Sequence, residues 1–232
     1  MKLEIILPGT YCLAKVTLEK DEQFNMTPDA MVAMDAVMDV DGKIFGDGIG
    51  SMIKRAITGS SARIQTVTAK RGRGEILLAP DQAGDICLKA LKRGEELILN
   101  HGAYLGSAPE VEFDMKLQGP IKTLLGGGTF TLQKMKGPGF LLFSSFGSIL
   151  HKTLGPGEKY VVDNDHLLGW TGTVKYSVKK SSGSMLSSWL SEGFVYQLEG
   201  PGDIYIQSRG PASLANVMVP YFVTKKNDEL KD

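Results

Sequence analysis

The side chains that could carry catalysis or hold a metal are few and scattered along this 232-residue chain. The histidines are His101, His151 and His166. None lies in an H-E-x-x-H pattern or beside a second ligand at metal-binding spacing, so no metal site is expected. Cys12 and Cys87 form no C-x-x-C pair. Each sits in an apolar run, where a reduced core thiol is the expected role. Serines cluster at Ser144-Ser145, Ser181-Ser182, Ser184 and Ser187-Ser188, close to glycine, where they serve turns and caps. None occupies a G-x-S-x-G elbow. No catalytic residue and no cofactor follow from these patterns.

Two stretches could bind anions. Gly46-Asp-Gly48-Ile-Gly50-Ser51 would offer free N–H groups at a helix start. It lacks the lysine that a Walker A loop needs after its last glycine, and Ser51 reads as an N-cap. The second stretch is the candidate anion site of the chain: residues 48–74 hold Lys54, Arg55, Arg63, Lys70, Arg71 and Arg73 and no acid. Residues 1–47 hold nine acids against four bases, so the basic stretch can equally lie against the acidic one. If the cations share a face, an oligomer would display it several times, and weak contacts to RNA or anionic lipid would add up. The segment has no aromatic residue, so stacking on unpaired bases is not expected there. The 26 basic and 26 acidic side chains cancel, which argues against a general polyanion coat.

The elements that would position these residues follow from composition and repetition. Hydrophobic residues make up 42% and charged residues 22%, a globular balance. Glycine occurs 28 times, which signals many tight turns. The start Met1-Lys2-Leu3-Glu4 has an acid where a signal peptide is apolar, and runs such as Phe140-Leu-Leu-Phe143 fall far short of a bilayer span, so a cytoplasmic protein is expected. Leu91-Lys-Arg-Gly94-Glu95-Glu-Leu97-Ile-Leu99 matches Leu154-Gly-Pro-Gly157-Glu158-Lys-Tyr160-Val-Val162 at an offset of 63 residues (154 − 91). Gly137-Pro-Gly139 matches Gly200-Pro-Gly202 at the same offset. A third copy, Leu18-Glu-Lys-Asp21-Glu22-Gln-Phe24-Asn-Met26, has Asp21 in the glycine column. Asp tolerates a left-handed turn better than most residues.

The copies span about residues 10–80, 81–145 and 146–210, with a charged tail at 225–232. Each opens on a Leu-x-x-Gly/Asp-Glu turn and runs through an apolar strand and a second short apolar run. A short helix with i, i+3, i+4 spacing follows, at 52–57, 121–125 and 185–190. An alternating strand, a glycine turn and a last apolar strand close the copy. Strands of this length between Gly and Pro turns predict antiparallel sheet, and the helices are too short to act as parallel crossovers. The expected fold is all-β: three repeats forming a single domain over 1–232, built of shallow antiparallel β-sandwich lobes. In this reading Phe24, Leu97 and Tyr160 share one column and face the interior. Met26, Met31, Met34 and Met38 serve the core, or alternatively a seam between subunits.

The blocks Gly84-Asp85-Ile86, the run 91–107, Gly137-Pro-Gly139, Leu154-Gly-Pro-Gly-Glu158 and Glu199-Gly-Pro-Gly-Asp-Ile204 together resemble the family that includes the yeast "altered inheritance of mitochondria" protein. The resemblance covers roughly residues 10–210. It implies a fold like the tryptophan RNA-binding attenuation protein, tripled within one chain, and homo-oligomers, and it brings no catalytic residue. The functional expectation is a non-enzymatic, homo-oligomeric scaffold or binding protein, with a trimer suggested by the threefold internal repeat. The rivals are an RNA- or anionic-lipid-binding ring using residues 54–73, and a small-ligand protein or enzyme with a site between lobes.

Overall fold

The turn that opens each copy shows how local chemistry fixes the backbone. Asp21, Gly94 and Gly157 all adopt positive φ, at 69°, 78° and 74°. A left-handed residue costs glycine nothing and aspartate little, which is why these two types share the column. In each turn the following glutamate folds back. Glu22, Glu95 and Glu158 accept the backbone N–H of Glu19, Lys92 and Gly155 at 2.9, 3.0 and 2.9 Å. The glutamate of the motif is thus a turn-closing group. The leucine that starts the motif is buried in all three copies, as Leu18, Leu91 and Leu154.

The computed structural model describes residues 1–44, 63–117, 131–180, 194–210, 214–215 and 217–219. The expected helices at 52–57, 121–125 and 185–190 and the charged tail lie outside the described residues. The first repeat contains β2 (Leu13–Leu18), β3 (Gln23–Met26), β4 (Met31–Met34), β5 (Asp39–Ile44), β6 (Arg63–Thr68) and β7 (Gly74–Leu78), preceded by β1 (Lys2–Ile6). The second contains β8 (Ile86–Leu91), β9 (Glu96–Asn100), β10 (Tyr104–Ser107), β11 (Glu112–Leu117), β12 (Thr131–Lys136) and β13 (Gly139–Ser144). The third contains β14 (Ile149–Leu154), β15 (Lys159–Asp163), β16 (Leu167–Thr171), β17 (Lys175–Lys180), β18 (Phe194–Glu199) and β19 (Gly202–Gln207). All strand pairs are antiparallel, as the turn spacing predicts.

Each repeat divides its six strands between two sheets, and neighbouring repeats share a sheet. Strands β5-β6-β3 of the first repeat continue into β10-β13-β8 of the second. Strands β11-β12-β9 of the second continue into β16-β19-β14 of the third. The two ends are left as a four-stranded sheet, β1-β2-β7-β4, and a three-stranded sheet, β15-β18-β17.

Three apolar cores separate these four sheets. The first joins Val16, Leu18, Ile76 and Leu78 of the four-stranded sheet to Phe24, Met26 and Leu142 of the first six-stranded sheet. The second joins Tyr104, Leu141 and Phe143 to Leu97, Leu99 and Tyr205. The third joins Trp170 and Ile204 to Val162, Tyr196 and Leu198 of the three-stranded sheet. Adjacent residues of one strand therefore serve different cores: Leu142 belongs to the first, Leu141 and Phe143 to the second. Both faces of β13 are covered over Leu141-Leu-Phe143, which explains why these three consecutive residues are all apolar, while Phe140 at the start of the run stays exposed.

One interior assignment is corrected. Phe24 and Leu97 have no exposed surface, but Tyr160 is 37% exposed. Leu97 and Phe24 are covered because β16 and β10 lie beside their strands. Strand β15 has a partner only in β18, so its open side leaves Tyr160 uncovered. Its ring lies 5.1 Å from the Lys152 ammonium, a cation–π contact that suits a half-wet site.

Candidate functional site

The features that distinguish one part of this molecule from its own repeats are two sheet edges. Across the first internal seam, β10 pairs with β3 in the register Gly106↔Met26 and Ser107↔Asn25, and Thr27 N–H donates to Leu105 O at 3.0 Å. Across the second, β16 pairs with β9 in the register Gly169↔Leu99, Trp170↔Ile98 and Thr171↔Leu97. Strand β4 is the first-repeat counterpart of β10 and β16. All three carry the same bulge, between Met31 and Ala33, Tyr104 and Gly106, and Leu167 and Gly169. Strand β15 is the third-repeat counterpart of β3 and β9. Neither β4 nor β15 has a strand on its outer side among the described residues.

Burial follows this difference. Val32 is 54% exposed, whereas Leu105 and Leu168 in its column are 2% and 3% exposed. Met31, Met34 and Val161 are also exposed. The early methionines therefore split: Met26 and Met38 are core, Met31 and Met34 line the open edge. Soluble proteins seldom leave a contiguous apolar strip along an unprotected strand.

Of the candidate anion-binding residues, the three whose side chains are described, Lys70, Arg71 and Arg73, each pair with an acid. Lys54 and Arg55 lie outside the described residues, and Arg63 begins β6. Lys70 lies 3.7 Å from both Asp39 and Asp41. Arg71 pairs with Asp39 at 3.3 Å and donates to the carbonyl of Ala36. Arg73 pairs with Glu19 at 3.1 Å. The acids of the first 47 residues thus face the bases that come after them in the chain.

A polar cluster that sequence spacing did not find bridges the two six-stranded sheets. Asp203 on β19 accepts from Thr153 Oγ1 at 2.8 Å and from His151 Nε2 at 3.1 Å, both on β14. Its other oxygen lies 3.8 Å from Lys89 Nζ on β8, which also pairs with Glu95 at 3.4 Å. The His151 ring stacks on Tyr205 with centroids 5.0 Å apart. Burial opposes the charge on Asp203, but the hydrogen bonds from Thr153 and His151 and the Lys89 charge outweigh it and hold the carboxyl below its usual value. These groups satisfy one another across the sheets. Cys87, on the same strand as Lys89, is half-buried, and burial pushes its thiol up to about 11, so it is protonated at neutral pH. Cys12 is buried, and burial raises its thiol as well.

His101 lies in the turn after β9, and His166, before β16, places Nδ1 2.8 Å from Gln207 O. Among the described residues no group of three or more His, Cys, Asp or Glu side chains could hold a metal. A shallow cleft of about 520 Å³ lies where the loops joining the repeats meet, lined by Tyr11, Asp81, Gln82, Phe146 and Arg209 among others. No helix among the described residues is long and apolar enough to cross a membrane.

Three sandwiched repeats that share sheets, with polar groups spent on the seams, define an all-β protein organised around strand pairing between units. The family model described as "Mitochondrial biogenesis AIM24" matches residues 4–209, and the chain belongs to that family. It is 31% identical over 234 residues to an uncharacterised protein of Streptococcus pyogenes serotype M6, covering 98% of this chain and 93% of that one. A crystal structure of a Streptococcus pyogenes structural-genomics target superposes with a TM-score of 0.77 at 29% identity, over 95% of this chain and 99% of that one.

Proposed function

We propose that the chain is a self-assembling, non-enzymatic scaffold or binding protein. The observation that carries this reading is the apolar surface left open on β4 and at Tyr160 of β15, at columns that are buried elsewhere in the same molecule. An open strand edge offers unpaired N–H and C=O groups as well as apolar surface, and association satisfies both. Self-association of this kind ordinarily closes into a symmetric assembly. The threefold internal repeat makes a trimer the first arrangement to look for.

Two rival readings have weaker support. For RNA or anionic lipid, the pairing of Lys70, Arg71 and Arg73 with nearby acids leaves little free charge among the described residues of the basic stretch. For a small ligand, the cleft at the repeat-joining loops has Asp81 and Arg209 as its charged lining. A bound mass increment in native mass spectrometry would favour the ligand reading.

Light scattering coupled to gel filtration tests the proposal. A mass several times 25.1 kDa across micromolar concentrations is expected. A mass of one chain throughout that range rejects self-assembly.

A further inference from the structure

The loops that join the repeats are repeated too, and one of their columns converges on a single place. Thr10, Ala83 and Phe146 each stand three residues before the strand that opens a copy, β2, β8 or β14. Arg209 follows β19 as Phe146 follows β13. All four line the shallow cleft of about 520 Å³. That volume falls in the range of small-ligand sites, roughly 300–1,000 Å³. One repeated position thus sets a hydroxyl, a methyl, a phenyl ring and a guanidinium around one opening.

The next column holds Gly84, Gly147 and Gly210 in three loops and Tyr11 in the first. A Cβ added at Gly84 would lie 1.5 Å from Ser145 O, one at Gly147 2.3 Å from Ser208 Oγ, and one at Gly210 2.9 Å from Asp165 Cβ. Those three seats admit no side chain. Tyr11 puts a large ring in the same column, and that ring lines the cleft 79% exposed. Such a ring offers a flat apolar face with a polar tip.

The frame around the cleft is tied together. Ser145 N–H donates to Asp85 O and Ser208 N–H to Ser148 O, both at 3.0 Å. Gly147 N–H donates to Ala83 O at 2.9 Å and Arg209 N–H to Phe146 O at 3.2 Å. Cys12, next to Tyr11, is buried with its thiol 3.8 Å from Gly84 O. Each loop holds the next, so a ligand has little backbone left to order.

Two charges line this cleft without pairing. The Arg209 side chain donates to Ser208 O at 3.0 Å, and among the described residues neither Arg209 nor Asp81 has an ion-pair partner. A guanidinium with N–H groups to spare takes a carboxylate in bidentate fashion. Asp81 accepts from a donor and repels a second negative charge. We infer that the cleft binds a small, flat, apolar monocarboxylate that also carries an O–H or N–H donor. Arg209 takes the carboxylate, Tyr11 and Phe146 cover the apolar body, and Asp81 takes the donor. This rests on the small-ligand reading above and adds the ligand's chemical class and the role of each residue.

The probe is 4-hydroxyphenylacetate, read by amide chemical shifts of the full-length protein. Titration should move the amides of Tyr11, Gly147 and Arg209, with the weak affinity expected of so small a molecule. The uncharged 4-hydroxyphenylacetamide should bind about tenfold more weakly, the difference a charged hydrogen bond makes. Arg209→Gln should keep the wild-type circular dichroism and bind acid and amide alike. Tyr11→Gly, which installs the residue of the other loops, should weaken both probes. Equal binding of acid and amide by the wild type, or acid binding unchanged in Arg209→Gln, would overturn the inference. A co-purified small molecule seen by native mass spectrometry, with no cleft amide moved by the acid, would overturn the ligand class and leave the small-ligand reading standing. Neither a bound mass nor a shift at the cleft would reject both.

Discussion

The internal seams and the chain ends are built from the same strands, yet they differ in what covers them. At β3/β10 and β9/β16 the strands meet, and Phe24, Leu97, Leu105 and Leu168 are sealed. At β4 and β15 the same columns carry Val32 and Tyr160, which stay wet. Sequence alternation alone cannot distinguish these cases, because burial at the edge column depends on the next unit and not on the strand itself. In a repeat protein, a column that is buried twice and exposed once points to a missing neighbour.

The comparison can be tested at the column where it is sharpest. Truncating Leu97 to Ala should cost about 2–5 kcal/mol of folding stability, the range for a fully buried leucine. Truncating Tyr160 to Ala, in its half-exposed equivalent, should change the stability of the isolated chain by less than about 1 kcal/mol while weakening association. Denaturant melts at low and high protein concentration separate the two effects. Equal losses for the two variants at low concentration would erase the distinction between seam and end.

Gly106→Ala should cost about 1–3 kcal/mol, because the added methyl meets neighbouring backbone and the ring of Phe24 inside a formed seam. Thermal melts of the variant provide the check.

A third prediction concerns the polar contact between the shared sheets. Asp203→Asn removes a carboxylate held by Thr153 and His151, and should cost about 1 kcal/mol at neutral pH. The folded-state carboxyl titrates below its ordinary value, so its contribution is present above the usual aspartate range and lost as pH falls through the folded value. The gap between wild type and variant should therefore shrink on acidification. A gap that widened in acid would place the stabilisation elsewhere.

The smallest expected effect is at the ends. Ala33→Gly should tighten association, since it restores the glycine present at both internal seams, although it loosens the free strand slightly. Dissociation followed by sedimentation velocity reads the change.

How much was legible in the sequence depended on how local the cause was. The Leu-x-x-Gly/Asp-Glu turn could be read directly, because positive φ restricts which residues fit at Asp21, Gly94 and Gly157. The three repeats and the antiparallel pairing followed from offsets and turn spacing. Strands β5 and β17 carry little apolar signal, as in Lys175-Tyr-Ser-Val-Lys-Lys180, whereas β11, Glu-Phe-Asp-Met-Lys-Leu, alternates and is legible by that criterion. The Lys89–His151–Asp203 cluster was invisible to spacing rules, since its members lie more than 50 residues apart and meet only through sheet packing. The ion pairs of Lys70, Arg71 and Arg73 were one of two readings of the charge pattern, and only the pairing of β5 with β6 brings Asp39 and Asp41 to them.

Hydrogen–deuterium exchange of β4 and β15 as a function of protein concentration tests the central claim most directly. If these edges are halves of a seam between chains, the outward amides of β4 and β15 should be protected at high concentration and exchange rapidly on dilution, while β3, β9, β10 and β16 stay protected throughout. Rapid exchange of both edges at every concentration would contradict it.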